Sequence, residues 1–210
     1  MIPTRRHILL GFFFALPLAA AGMARAAVGE TPETPVQALN DGLLAAMKAG
    51  SGTPFSRRYE LLAPVIDRVF DLPTILRNCV GPRWSGLAET ERQTLLKAFR
   101  HFTIVSYVAN FSGYAGEKFE LVGAPRAAST EMVIQTRIVP AEGDPARLDY
   151  VLRHDDAGWR VVDVLLDGNI SRVAVTRSDF RAMLSEGGVA ALVASLERKA
   201  AELAADHAPT

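Results

Sequence analysis

At Gly113 the apolar pattern of this chain changes period, and that change limits the folds open to it. Before it, apolar residues recur at helical spacing: Val36, Leu39, Leu43 and Met47 form one stripe, and Leu95, Phe99, Phe102 and Val105 another. After it come runs rich in Val, Ile, Tyr and Leu at 119–122, 131–139, 148–153 and 159–166, separated by turns carrying Gly, Pro and Asp. Such spacing allows neighbouring antiparallel hairpins, and a further short strand is expected at 170–175. A last helix is expected from Ser178, paused at Gly187-Gly188 and resuming with Val189, Leu192, Val193 and Leu196 on one face. Helices, then a meander of four to five strands, then helices predict an α+β fold. Its helices pack on one face of a curved, mainly antiparallel sheet.

Local signals place the helix ends. Thr34, Pro35 and Gln37 read as a capping box opening the first helix, which Gly50-Ser-Gly52 closes. A second helix spans about 54–62 and is interrupted by Pro64. Asp71 can cap a third, with Leu72, Ile75, Leu76 and Cys79 inward and Gly81-Pro82 as its stop. Thr90 and Gln93 form a second box, opening a long helix over about 91–111. That helix is amphipathic up to Arg100 and apolar nearly all round from Phe102, which requires burial on more than one side.

Residues 1–26 read as an export signal: Arg5-Arg6 at the start, an apolar run from Ile8 to Ala21, and small residues Ala24 and Ala26 at a cleavage site. The run falls short of the roughly 20 helical residues that span a bilayer. The arginine pair also fits a twin-arginine signal, so both the general and the folded export routes stay open. Residues 27–35 are expected to be a flexible lead-in, 36–203 a single domain and 204–210 a frayed tail. The expected location is the periplasm. Removing the signal takes away three arginines and no acid, leaving 20 Lys/Arg against 23 Asp/Glu. A deficit of basic charge argues against a nucleic-acid partner.

The search for chemistry yields little. His101, His154 and His207 are not paired with one another or with Cys at metal-ligand spacing, so neither a metal nor a cofactor is expected. No nucleophile elbow or phosphate-cradling glycine loop occurs. Cys79, the single cysteine, reads as a small buried hydrophobe. One acid–base possibility remains: Asp163 interrupts the apolar strand 161–166, with Tyr107, Tyr150 or His154 as partners, on a cone-shaped fold able to run isomerase or cyclase chemistry. The alternative is an Asp bonded to backbone or arginine. Apolar side chains exceed what a small sheet layer needs, consistent with a cavity.

The run from Leu148 to Ser171, with Gly158-Trp159-Arg160-Val161 and Asp163-Val164 at its centre, followed by Arg177-Ser-Asp-Phe180, resembles the MlaC (toluene-tolerance) family. Val69-Phe70-Asp71-Leu72, Gly81-Pro-Arg-Trp84 and the stretch from Gln93 to Tyr107 agree, so the resemblance covers about 36–200. The turn Asp167-Gly-Asn-Ile-Ser171 is one residue longer than the family's, and Val80-Gly-Pro-Arg-Trp84 stands where the family has Leu-Gly-x-x-Trp. The Ala-rich C-terminus and the divergent loops look closest to the hopanoid-associated HpnM branch.

The resemblance implies a non-enzymatic, monomeric periplasmic carrier of phospholipid or hopanoid-type lipid, with tails held between sheet and helices. Its implied partners are membrane lipid, an inner-membrane MCE-domain ABC transporter and an outer-membrane lipid-transfer complex. Expected lining residues are Phe70, Leu72, Ile75, Leu76, Phe99, Phe102, Val105, Val108 and Phe111 from the helices, and Ile134, Ile138, Tyr150, Leu152, Val161 and Val164 from the sheet. Roughly half are expected to be core alone. A one-residue slip of a strand would exchange its inward set for the other face.

Overall fold

The computed structural model describes residues 30–50 and 52–207; residues 1–26, where an export signal is expected, lie outside them. Four helices come first: α1 (Glu33–Ala49), α2 (Phe55–Val69), α3 (Leu72–Val80), then a 3-10 segment at Gly81–Gly86, then α4 (Glu89–Asn110). Six strands follow: β1 (Lys118–Leu121), β2 (Arg126–Ala128), β3 (Glu131–Val139), β4 (Ala146–Asp155), β5 (Gly158–Leu166) and β6 (Ile170–Ser171). Helix α5 (Arg172–Asp206) closes the described chain. The strands form one antiparallel sheet in the order β1-β3-β4-β5-β6, with β2 also pairing β3. Each consecutive pairing is a hairpin or near-hairpin, as the short turns require.

The helices cover one face of this sheet. Ile134, Tyr150, Leu152 and Val161 from the strands join Leu39, Leu62, Ile66, Leu76, Leu95, Ile104 and Leu192 from the helices in one core. The other face carries only a small cluster, Val133, Val151 and Val162. Between Val151 and Leu152 the β4–β5 register shifts by one residue on β5, so Val162 is the extra residue of a bulge. A bulge bends its strand and re-aims the residues beside it, and here those include Asp163.

Several element ends differ from the sequence expectation, each for a physical reason. Helix α1 starts at Glu33, inside the expected lead-in, with Pro32 rather than Thr34 at its cap and no side-chain cap bond. Buried Pro35 and Val36 hold its first turn. Helix α2 runs through Pro64 to Val69 because Leu62, Ile66 and Val69 are fully buried on one face, which outweighs the one backbone bond proline removes. At α4, Glu91 reaches back to the Ala88 amide at 2.9 Å, so the helix opens two residues earlier than the predicted box places it. Strand β2, short and with no apolar alternation, was not expected. The strand expected at 170–175 lasts two residues: Ser171 accepts the Ala174 amide at 2.9 Å and starts α5 at Arg172 instead of Ser178. β-Branched residues at 170, 173 and 175 imitate a strand, and the cap overrides them.

Asp71 does cap α3, accepting the Thr74 amide at 3.1 Å, and its own amide donates to Val161 O on β5 at 3.0 Å. Phe70 forms a parallel bridge to Val161, so the α2–α3 junction is stitched to the sheet. Arg58 is a buried arginine on α2 whose Nη1 donates to Val108 O (3.3 Å) and Ser112 O (3.4 Å), capping the carbonyl end of α4.

Helix α5 breaks at Gly188 (φ 64°, ψ −161°). The break frees Leu184 O from its usual partner four residues on, and Arg83 replaces it: Nη1 donates to Leu184 O at 2.8 Å and Nη2 to Ser185 Oγ at 3.1 Å. Only glycine enters that backbone region without strain. Gly188→Ala should therefore lower unfolding free energy by about 1–3 kcal/mol, read from the urea midpoint at constant slope. An unchanged midpoint would show that the kink is not constrained.

Candidate functional site

A cavity of about 560 Å³ lies between α3, α4, the ends of β4 and β5, and the start of α5. Helix α4 supplies its longest wall: Phe99, Phe102, Thr103, Ser106, Tyr107 and Asn110 follow one another by three, one, three, one and three residues, a single helical stripe that ends on Phe111. Opposite stand Phe70, Leu72, Ile75 and Cys79 from the α2–α3 side. The sheet contributes Leu148, Asp163, Val164 and Leu166, and α5 contributes Arg172, Val173 and Thr176. Aromatic rings brace this frame. Phe70 packs against Tyr107 at 5.5 Å between centroids, Tyr107 stacks on Phe111 at 6.0 Å, and Phe99 meets Phe180 of α5 edge-on at 6.2 Å.

Three polar side chains of the wall, Thr103, Ser106 and Asp163, are already satisfied. Thr103 Oγ1 donates to Phe99 O (2.8 Å) and Ser106 Oγ to Phe102 O (2.7 Å), so both hydroxyls turn back onto their own helix. Asp163 Oδ1 accepts the Val164 amide (2.7 Å) and the Val173 amide (3.0 Å), and Oδ2 accepts Ser171 Oγ (2.5 Å). The cavity therefore meets an occupant largely with carbon, despite the Ser, Thr and Asp in its lining.

Of the residues expected at the lining, Phe70, Leu72, Ile75, Phe99, Phe102, Phe111 and Val164 stand on the cavity wall. Leu76, Val105, Val108, Ile134, Tyr150, Leu152 and Val161 are buried away from it, and half-buried Ile138 lies towards the β1 edge opposite Phe119. Of the sheet residues expected there, Val164 reaches the wall and the others do not, for a simple reason. Ile134, Tyr150, Leu152 and Val161 face the helices where these pack directly on the strands, and the gap opens only at the Leu148, Val164 and Leu166 end. Cys79, Tyr107, Asn110, Leu148, Leu166, Arg172, Val173 and Thr176 were missed as wall residues. Extending the Phe99 stripe by threes and fours along α4 reaches Tyr107 and Asn110; the α5 residues gave no such signal, because their segment read as a strand.

The groups considered for acid–base chemistry converge only in part. Asp163 and Tyr107 share the cavity, but Tyr150 is buried in the core, and His154 is exposed and packs edge-on against Trp159. Asp163 behaves as the joint between β5 and α5, the backbone-bonded alternative. Burial raises the Tyr107 phenol well above its usual range, with Tyr150 adding to the effect and Arg172 opposing it. Among the described residues, no group of three or more His, Cys, Asp or Glu could hold a metal ion, and no helix is long and apolar enough to cross a membrane.

Burial also pushes the Cys79 thiol up from 9.0 to about 12, with nearby Asp163 adding to it and Arg177 opposing. At pH 8 the folded protein should thus react with an aromatic disulfide reagent about a thousandfold more slowly than the urea-unfolded chain. The sign for stability follows. The unfolded thiol ionises above 9.0 while the folded one holds its proton to about 12, so this group removes stability as pH rises through that window. Rapid labelling of the folded protein would show that the cavity wall opens.

The family model described as MlaC protein matches residues 37–198. No curated protein matches the sequence. Among solved structures, the chain is similar to a phospholipid-binding protein from Ralstonia solanacearum, determined in complex with a phospholipid. The two share 23% identity, the match covers 83% of this chain and 99% of that one, and the TM-score is 0.73.

Proposed function

The chain belongs to the MlaC family, and we propose that it is a periplasmic carrier that holds the tail of a membrane lipid in the cavity beside α4. The observation that carries this reading is the wall itself: a cavity of about 560 Å³ lined mainly by apolar side chains, in which the Thr103 and Ser106 hydroxyls are bonded back to α4 and the Asp163 carboxylate is consumed by the start of α5. Such a wall offers an occupant carbon contacts and few polar ones, which suits a hydrocarbon chain. The structural neighbour from Ralstonia solanacearum, itself described as phospholipid-binding, supports the same reading.

Magnitudes favour an enclosed tail. Each buried methylene is worth about 0.8 kcal/mol, so a tail of roughly 16 carbons costs on the order of 12 kcal/mol to expose. Taking a methylene as about the size of a water, about 30 Å³, the cavity holds one such tail with little to spare. A second tail requires the helices to part from the sheet.

The export signal expected at 1–26 supports a place between two membranes, where a carrier of phospholipid or hopanoid-type lipid would exchange cargo. Its partners in this reading are an inner-membrane MCE-domain ABC transporter and an outer-membrane lipid-transfer complex. The carrier needs no catalytic group.

Organic extraction of the purified protein followed by mass spectrometry should recover lipid at near one per chain. Val164→Trp, which places an indole in the cavity, should cut that yield several-fold while circular dichroism and the melting transition remain those of a folded protein. A folded native protein that yields no lipid would sink the carrier reading.

A further inference from the structure

One side chain on the cavity wall is not accounted for by tail binding. Arg172, the first residue of α5, is the only Lys, Arg or His in the lining among the described residues. Among the described residues its guanidinium has neither a carboxylate nor a hydrogen-bond partner. Two other arginines at this end of the sheet and helix are engaged: Arg177 Nε donates to Asn78 O at 2.6 Å, and Arg147 is bidentate on Asp149 (3.0 and 2.6 Å). The acid best placed to neutralise Arg172 is Asp163, and its oxygens are taken by the Ser171 hydroxyl and the Val164 and Val173 amides. A cation thus stands unpaired where an otherwise hydrocarbon wall meets water, since Arg172 is exposed while Val173 and Thr176 beside it are half-buried. Exposed Ile170 and Val175 flank it and carry apolar surface outward from the mouth.

We propose that Arg172 is an anion anchor at the cavity mouth, so that the site selects amphiphiles with an acidic head, phosphate or carboxylate, over neutral amphiphiles with the same tail. This rests on the lipid-carrier reading and deepens it. A guanidinium presents a planar fork that matches both phosphate and carboxylate oxygens. Its place at the mouth leaves the head in water while the tail runs inward along α4, which avoids burying an ion pair. The charge is felt inside the cavity as well, because Arg172 opposes the burial-driven rise of the Tyr107 phenol. Asn110 and Thr176 add an amide and a hydroxyl to the same wall.

The test is competition for a neutral fluorescent probe, N-phenyl-1-naphthylamine, bound to the delipidated full chain. Competitors share a hexadecyl-length tail: hexadecyl phosphate, palmitate and hexadecanol. The readout is the affinity ratio of each acid to hexadecanol within one protein. The native chain should favour the acids by about tenfold or more, as a charge-assisted hydrogen bond implies, and the ratio should fall as salt rises. Arg172→Gln should bring the ratio close to one, and Arg172→Lys should restore part of it. Arg181→Gln, an exposed arginine of α5 off the wall, should keep the native ratio. A preference for hexadecyl phosphate over palmitate assigns the anchor to phosphate heads, and equal preference to acidic heads in general. If the native ratio is one, or survives Arg172→Gln, the anchor is wrong while the carrier reading stands. If neither probe nor hexadecanol binds, the carrier reading falls and takes the anchor with it.

Discussion

The carboxylate of Asp163 joins the sheet to the last helix, and the position of the cavity depends on that joint. One oxygen accepts the amides of Val164 and Val173, and the other accepts the Ser171 hydroxyl, whose own oxygen caps α5 through the Ala174 amide. Hydrogen bonds to a carboxylate are worth about 1.5–3 kcal/mol each, enough to decide the direction in which a helix leaves a sheet. The bulge at Val162 breaks the alternation of β5 beside this carboxylate, so that Val161 and also Val164 and Leu166 face the helices. Because α5 starts there, Arg172, Val173 and Thr176 arrive at the cavity, and the helix crosses its mouth instead of collapsing onto the strands.

The same frame explains why the gap is not filled. Interiors normally close-pack, and a space this large persists only when its walls are held apart. Helix α3 is tied to β5 through Asp71 and Val161, α4 to α5 through Phe99 and Phe180, and the end of α4 to α2 through Arg58. The Arg83 clamp on Leu184 and Ser185 fixes α5 where glycine breaks it. The polar ties among these sit at element ends, where orphan backbone groups are available to bind. The walls are thus set largely by contacts beside the cavity, and most of the lining can remain hydrocarbon.

The layer order was legible in the sequence because the change of period at Gly113 fixes which half forms helices and which forms strands. The stripe through Phe99 and Phe102 located one wall, and Asp71 announced the start of α3. Two kinds of information were not legible. The first is competition between a local cap and a longer pattern: Ile170, Val173 and Val175 favour a strand, yet Ser171 with Asp163 starts a helix, and Asp163 lies distant in sequence. The second is where packed layers separate. Tyr150 and Leu148 occupy alternate positions on one strand face, but only Leu148 reaches the cavity, because the helices lean on the sheet at one end and lift from it at the other.

These two features bear on how much cargo the fold admits. Helix α5 both covers the cavity, through Val173 and Thr176, and carries a break at Gly188 that lies beyond the covered part. The segment before the break packs on α3, and Phe180 and Leu184 within it are buried. The segment after it is held on the core by Leu192 and Leu196. A cover attached through a glycine break can shift as a unit, whereas an unbroken helix of 35 residues would have to bend along its length. One tail fits the cavity as it stands, so any larger cargo must displace this cover or α3. Displacing the cover strains the Asp163 joint at one end and the Arg83 clamp at the other, which makes those two contacts the natural limit on the size of occupant the cavity can hold.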